Sequence, residues 1–207
     1  MAETTQRRNR PYAPRKAPAE RREQLLDAAL EIIVEQGIHK VSIDSVARRA
    51  GVTRPVVYGL FDDTNALLRA SLDREEQAIN AQLAEVMPAT EHSDSAEAAI
   101  ASLDGFLRAV LAAPDRWRAA FMLVDSSTPV FRERVERNRR TLIETLENLL
   151  QPIATNAPDT DIALLARGLY ALLWEAGRLV LAEPDHFPPE RITAFATNLI
   201  HANFTID

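Results

Sequence analysis

The sequence predicts an all-α protein, because apolar residues recur at helical spacing along most of its length and prolines separate these stretches. The chain has 207 residues, with 12 prolines, 6 glycines and no cysteine. No segment alternates apolar and polar residues with the period of a β-strand, so no strand is predicted. This length can bury a full hydrophobic core, as one domain or as a small domain joined to a larger one.

The first two helices are each bounded by recognisable start and stop residues. Pro18 is predicted to begin the first helix and Gly37 to end it. Ser42 is predicted to cap a second helix, which ends at Gly51. Both helices carry apolar residues at spacings of three and four, so each has one face suited to a shared core.

Two more helices follow in the first half of the chain. Thr53 is predicted to cap a short third helix that has Pro55 in its first turn, where the missing N–H costs nothing. Asp62 or Asp63 is predicted to cap a fourth, longer helix that runs to about Met87. Five further helices, bounded by prolines and caps, bring the predicted total to about nine; they lie near 94–113, 115–125, 129–150, 160–183 and 188–204.

The second and third helices form a predicted helix-turn-helix. Gly51 can adopt the positive φ that ends one helix sharply, and Thr53 caps the next helix two residues later. Val57 and Phe61 are four residues apart and are predicted to face inward. The second helix of such a motif can enter the DNA major groove, which is about 12 Å wide.

The other residues of the third helix are suited to contacts with DNA. Arg54 can donate a forked pair of hydrogen bonds to guanine, and Val56 can pack against a thymine methyl group. The hydroxyl groups of Thr53 and Tyr58 suit phosphate oxygens. Many helical hairpins have glycine at a corner, so the motif alone does not establish a DNA-binding protein.

Charge is distributed unevenly along the chain. The formal net charge is −6, yet residues 1–70 hold 12 basic and 9 acidic side chains. Residues 1–17 are rich in proline and arginine and are predicted to form a flexible basic arm. Arg7, Arg8 and Arg10 of this arm are candidate DNA contacts. A tail that serves only solubility is the alternative.

Residues 20–70 contain a distinctive set of residues at fixed spacing: Arg22, Leu25-Leu26, Ala28-Ala29, Glu35, Gly37, Val41-Ser42-Ile43, Val46-Ala47, Ala50-Gly51-Val52-Thr53, Val57-Tyr58, Phe61 and Leu67-Leu68. In these residues the segment closely resembles the TetR family of transcriptional regulators. This resemblance implies a helix-turn-helix DNA-binding domain at 18–68 and an all-helical ligand-binding and dimerisation domain at 69–207. It also implies DNA contacts by Thr53, Arg54, Pro55 and Tyr58, and by Ser42, Ile43, Asp44 and Ser45 near the backbone.

The chain departs from the family pattern in two places. Gly59 and Leu60 stand where the family usually has aromatic or histidine residues, and Thr64 stands where it usually has lysine. Both departures remove phosphate donors, so we expect the basic arm to supply phosphate contacts instead.

The C-terminal helices are predicted to form a homodimer. The 160–183 helix is apolar nearly all round, which indicates burial on two sides, and Gly168 and Gly177 would let another helix approach closely. Together with the 188–204 helix it could form a four-helix interface between two subunits. The alternative is that both helices serve one intrachain core.

The middle helices carry bulky side chains that are candidates for a ligand pocket. These residues are Phe106, Trp117, Phe121, Met122, Asn138, Tyr170, Trp174 and Arg178. Aromatic residues at such spacing more often form plain core, so both interpretations stay open.

Catalytic, metal-binding and membrane functions are not supported by the sequence. The four histidines show no metal-ligand spacing, and no nucleophile elbow, phosphate loop or dinucleotide fingerprint is present. No catalytic residue, metal site or cofactor is therefore predicted. No apolar run is long enough to cross a membrane, and we expect a cytoplasmic protein.

The combined expectation is a dimeric, ligand-responsive transcriptional regulator. It would repress from a palindromic double-stranded DNA operator and be released by a small apolar or amphipathic effector of unknown identity. One alternative is a transcriptional activator. Another is a helical ligand-binding or interaction module whose DNA affinity is weakened or lost.

Overall fold

The computed structural model describes residues 16–86, 95–124, 129–156 and 159–204. Within these ranges the chain forms nine α-helices and no β-strand, which confirms the predicted all-α fold class. The helices are α1 (Pro18–Gln36), α2 (Ile43–Arg49), α3 (Arg54–Tyr58), α4 (Thr64–Val86), α5 (Ser95–Ala112), α6 (Pro114–Val124), α7 (Pro129–Asn156), α8 (Ile162–Ala182) and α9 (Pro189–Phe204).

Local capping explains where the first helices begin and end. Gly37 ends α1 with a φ of 88°, a value that favours glycine. Ser42 and Ser45 form a reciprocal capping box at α2: the Ser42 hydroxyl accepts from Ser45 N at 3.0 Å, and the Ser45 hydroxyl accepts from Ser42 N at 2.9 Å. The Asp63 carboxylate accepts from Ala66 N at 2.6 Å and caps α4.

One predicted boundary is wrong. Helix α7 was expected to end at 150, before Pro152, but it continues to Asn156. A proline inside a helix removes one backbone hydrogen bond and crowds the preceding turn. Helix α7 packs along α8, and this tertiary contact outweighs the local signal to stop.

We call α1–α3 and residues 64–75 of α4 the head. Its core is a continuous apolar cluster whose fully buried members include Leu25, Leu26, Ile33, Val46, Val57 and Leu67. Arg49 of α2 adds a polar link to α1, because its guanidinium donates to Glu31 at 3.0 Å and to Glu35. The short helices α2 and α3 are thereby held against one long helix.

We call residues 76–86 of α4 together with α5–α9 the body. Its core consists mainly of aromatic and aliphatic residues from α5, α6 and α8, namely Phe106, Leu107, Val110, Trp117, Phe121, Ala176 and Val180. No helix in the described ranges combines the length and apolar character that a membrane span would need.

Helix α6 belongs to both regions. Its Ala119 is buried in the head core against α1, whereas its Trp117 and Phe121 are buried in the body core. A displacement of α6 would therefore be felt by both cores, since close-packed interiors transmit strain.

The turn at Gly51 generates a stability prediction. Gly51 has a φ of 65°, and an L-residue in this region costs roughly 1–2 kcal/mol. We expect Gly51→Ala to lower the free energy of unfolding by about that amount in urea denaturation followed by circular dichroism.

Gly59→Ala is the matched control, because Gly59 has an ordinary helical φ of −68°. That change should leave stability within about 0.5 kcal/mol of the wild type. Equal losses for the two variants would mean that the backbone conformation of Gly51 carries no special cost.

Candidate nucleic-acid interface and body cleft

The turn before α3 fixes the direction of that helix. Gly51 N donates to Arg48 O at 3.2 Å, and Val52 N donates to Ala47 O at 2.9 Å, which closes the end of α2. Val57 lies on the inner side of α3 and is fully buried in the head core. The rest of α3 is therefore held at the surface by one anchored side chain and one fixed turn.

The predicted contact residues of α3 all lie on this exposed surface. Arg54 and Pro55 are exposed, as are Val56 at 38% and Tyr58 at 56%. Thr53 occupies the N-cap position as predicted, but its side chain makes no capping hydrogen bond. Its exposed hydroxyl group is therefore not committed to the helix end and can serve a phosphate oxygen.

The first turn of α2 contributes to the same surface only in part. Ser42 and Ser45 are half-buried and engaged in the capping box, and Asp44 is exposed. Ile43 is only 7% exposed and belongs to the head core, so its side chain does not contribute to this surface. It faces inward because it begins the apolar stripe that continues with Val46 and Ala47.

An ion-pair cluster joins α2 to α3 across the turn. Arg54 Nε donates to Asp44 Oδ1 at 2.8 Å, and Arg54 Nη2 donates to the same oxygen. Arg48 Nη2 lies 3.5 Å from Asp44 Oδ2. Hydrogen bonding from the Arg54 guanidinium holds the pKa of Asp44 below its ordinary value, so the carboxylate is ionised at neutral pH.

The basic arm lies mostly outside the described residues. This applies to Arg7, Arg8 and Arg10, the predicted arm contacts. Lys16, which is described, lies 3.3 Å from Glu20 in an exposed ion pair at the start of α1.

Five of the predicted ligand residues pack into one aromatic chain in the body. The ring centroids of Phe106 and Trp117 are 5.3 Å apart, and those of Trp117 and Phe121 are 6.0 Å apart. Phe121 meets Trp174 edge-on at 4.8 Å, and Tyr170 stacks on Trp174 at 5.7 Å. These rings fill space that a pocket would need, so the aromatic chain forms a packed core in this conformation.

A cleft lies beside the aromatic chain, between α6 and α8. It is open to the surface, has a volume of about 230 Å³ and is lined by Arg118, Phe121, Met122, Arg178, Leu181 and Ala182. The predicted residues Phe121, Met122 and Arg178 therefore come together here. Asn138 does not line this cleft and is exposed on α7.

Two observations in the aromatic chain were not predicted. The buried indole N–H groups of Trp117 and Trp174 find no hydrogen-bond acceptor within the described part of the chain. Gly177 faces its own body core: a Cβ there would lie 2.6 Å from Phe121 Cζ and 3.0 Å from Phe106 Cζ. The close helix approach expected at Gly177 is therefore made within the body core, by Phe121 of α6 and Phe106 of α5.

A buried carboxylate, which the sequence analysis missed, links the head to α6. Glu75 is only 6% exposed, and Arg116 of α6 donates to it at 2.8 Å. Arg74 donates to Glu75 at 2.7 Å and to Asp27 of α1 at 2.7 Å. The sequence contains one sign of this contact, because Glu75 lies on the same buried face of α4 as Leu68 and Leu72. A charged residue at such a position needs a partner of opposite charge.

Comparisons with known proteins agree with this geometry. Residues 25–71 match the family described as bacterial regulatory proteins, tetR family. A stretch of 52 residues, 25% of the chain, is 48% identical to the HTH-type transcriptional regulator BetI of Escherichia coli O139:H28 (strain E24377A / ETEC). That match covers 27% of the relative, so the chain matches about a quarter of the length of this curated protein.

Solved structures extend the likeness of fold to nearly the whole chain. A TetR-like transcriptional regulator from Rhodococcus sp. RHA1 has a TM-score of 0.75 at 23% identity, covering 89% of this chain and 96% of that one. The SmeT–triclosan complex has a TM-score of 0.64 at 20% identity, covering 88% and 90%. Residues 25–71 therefore resemble the tetR family of bacterial regulatory proteins, and the fold of the chain is similar to that of a TetR-like regulator.

Proposed function

We propose that the protein is a DNA-binding transcriptional repressor that acts from a palindromic operator. The exposed surface of α3 carries the proposal, because a guanidinium, two hydroxyl groups and an apolar side chain project from one rigidly held helix. A helix held in this way can enter a major groove without rearrangement of the head. Because the proposed operator is DNA, we expect the protein to act in the cytoplasm. Activation from the same operator is the alternative within regulation.

We propose further that two subunits associate through α8 and α9. Leu164 is 67% exposed, Phe195 is 63% exposed and Leu172 is also exposed, although Ala166 and Val180 on the other side of α8 are buried. Large apolar side chains exposed at a surface are typical of a protein interface. A two-fold dimer would present two copies of α3 to half-sites one helical turn apart, about 34–36 Å.

The body is proposed to bind a small apolar or amphipathic effector. The cleft between α6 and α8 offers Phe121, Met122 and Leu181 as apolar walls and two guanidinium groups at its rim. The unpaired indole N–H groups of Trp117 and Trp174 favour an effector that brings a hydrogen-bond acceptor into the aromatic chain. The neighbour solved with triclosan supports an effector of this kind for the present chain.

Helix α6 is the proposed route from effector to DNA. An effector that separates Phe121 from Trp174 would displace α6, which also packs into the head through Ala119 and holds Glu75 through Arg116. The displaced state would present the heads at the wrong spacing, so the effector would favour release from DNA. A coupling of roughly 1–3 kcal/mol would change the affinity about 5- to 150-fold.

The arm is proposed to supply phosphate contacts through Arg7, Arg8 and Arg10. The exposed residues Asp62 and Asp63 follow α3 and carry negative charge, which would repel DNA phosphates. Phosphate contacts must therefore come from another part of the protein. Arginine-rich arms of other DNA-binding domains lie in the minor groove, and the same placement would suit this one.

The DNA-binding proposal predicts loss of binding when α3 loses its arginine. We expect Arg54→Ala to weaken binding to the DNA upstream of the protein's own gene by at least tenfold in fluorescence anisotropy titrations, because a forked contact to guanine is lost.

Arg108→Ala is the matched control, since Arg108 is an exposed arginine of the body that pairs with Asp104 at 2.7 Å. It should bind as the wild type does. Unchanged binding by Arg54→Ala, or no binding by the wild type to any duplex, would favour a helical ligand-binding module without DNA affinity. A reporter gene placed behind the bound duplex distinguishes repression from activation.

The interface proposal predicts that a charge on the exposed apolar side of α8 will separate the subunits. We expect Leu164→Glu to sediment as a monomer at concentrations where the wild type sediments as a dimer, because a buried unpaired carboxylate is costly. Leu111→Glu places the same charge on an exposed leucine of α5 and should remain dimeric. A wild-type monomer, or a dimer of Leu164→Glu, would contradict this interface.

The role of Glu75 as a link predicts a large loss of stability on neutralisation. We expect Glu75→Gln to lower the free energy of unfolding by about 2–4 kcal/mol in urea at fixed protein concentration, because Arg74 and Arg116 lose a buried counter-charge. Glu97→Gln neutralises an exposed glutamate on α5 and should change stability by less than about 0.5 kcal/mol. Similar effects of the two changes would rule out the link.

A further inference from the structure

The contact between Arg54 and Asp44 uses one particular edge of the guanidinium group. Nε and Nη2 lie on the same edge of the planar group, and both donate to Asp44 Oδ1. A guanidinium has five N–H donors in a fixed fork. The contact with Asp44 uses two of them and leaves the end-on edge, formed by Nη1 and the second hydrogen of Nη2.

The remaining edge has the geometry that guanine requires. Two parallel N–H groups at the end of an arginine match the O6 and N7 acceptors of guanine in the major groove. Arg54 is 64% exposed, so in the absence of a partner its side chain would sample many rotamers. The carboxylate of Asp44 restricts that freedom, and Arg48 contacts the second oxygen of the same carboxylate at 3.5 Å.

We propose that Asp44 is a specificity-determining positioning residue, which holds Arg54 in the orientation that reads guanine. This inference rests on the proposed function, because it assigns a role within the same DNA-facing surface. In this arrangement α2 does more than cross the DNA backbone. It supplies the residue that directs the base-reading side chain of α3.

Charge and positioning have effects of opposite sign at this position. Asp44 is an exposed negative charge on a surface that faces phosphates, so its removal should strengthen binding to every DNA sequence. Loss of the positioning contact should instead weaken the preference for guanine over other bases. A variant that binds DNA more tightly while discriminating less would separate the two effects.

The experiment selects binding sites from a random duplex library with the wild-type protein. The best site and its single-base replacements are then titrated with the wild type and with Asp44→Ala, Asp44→Asn, Arg54→Ala and Asp62→Ala. Asp62→Ala is the matched charge control, because Asp62 is an exposed aspartate of the head that follows α3. Asp44→Asn removes the charge but keeps an oxygen that accepts from Arg54.

We expect the wild type to prefer guanine at one position of each half-site by roughly 5- to 150-fold. Arg54→Ala and Asp44→Ala should both reduce this preference to less than about threefold, while Asp44→Ala retains or gains overall affinity. Asp44→Asn should discriminate to an intermediate degree. Asp62→Ala should gain overall affinity and keep the wild-type preference.

Other outcomes overturn the inference in distinguishable ways. No selected motif for the wild type would remove the proposed function together with this inference. A motif whose guanine preference survives Arg54→Ala or Asp44→Ala would remove the inference alone. Equal loss of preference in Asp44→Ala and Asp62→Ala would assign the effect to charge, and a stronger preference in Asp44→Ala would show that Asp44 competes with guanine for Arg54.

Discussion

The turn at Gly51 is the constraint on which the candidate interface depends. Its φ of 65° lets α2 stop within one residue and places Thr53 at the N-cap of α3. The opposite face of α3 is secured by Val57, which is fully buried. A helix of only five residues has little intrinsic stability, so its direction comes from this turn and this packing contact. The preorganised surface of α3 follows from both.

Helix α6 gives the structure its second organising feature. The same eleven residues contribute Ala119 to the head core, Phe121 to the aromatic chain and Arg116 to the buried carboxylate of Glu75. Close packing on one side and ionic contacts on the other make α6 difficult to move without consequences for α1 and α4. This placement, rather than any single contact, underlies the proposed coupling between body and head.

Local signals predicted much of the fold. Gly51, Ser42 and Asp63 act through backbone conformation or a hydrogen bond three residues away, so the sequence near each residue contains the cause. The extension of α7 past Pro152 was not predictable in this way, because packing against α8 decides it. Tertiary contacts overrode the local stop.

The sequence predicted which residues of the candidate site are exposed, but it did not predict the ion pairs between helices. Exposure of Arg54 and Tyr58 followed from helical spacing around Val57. The contact of Arg54 with Asp44 joins residues on different helices, so the pattern of residues along either helix does not predict it. The same holds for Glu75, whose partner Arg116 lies 41 residues away. Long-range ion pairs of this kind depend on the folded arrangement.

The most direct measurement of the central claim is affinity cleavage from the end of α3. The chain contains no cysteine, so Asp62→Cys provides a single attachment point for an iron–EDTA group beside α3. If α3 enters the major groove in a dimer, the bound duplex will be cut at two loci on one face, one helical turn of about 10–10.5 base pairs apart or a whole multiple of it. Uniform cutting along a bound duplex, or no cutting, would show that α3 does not face DNA.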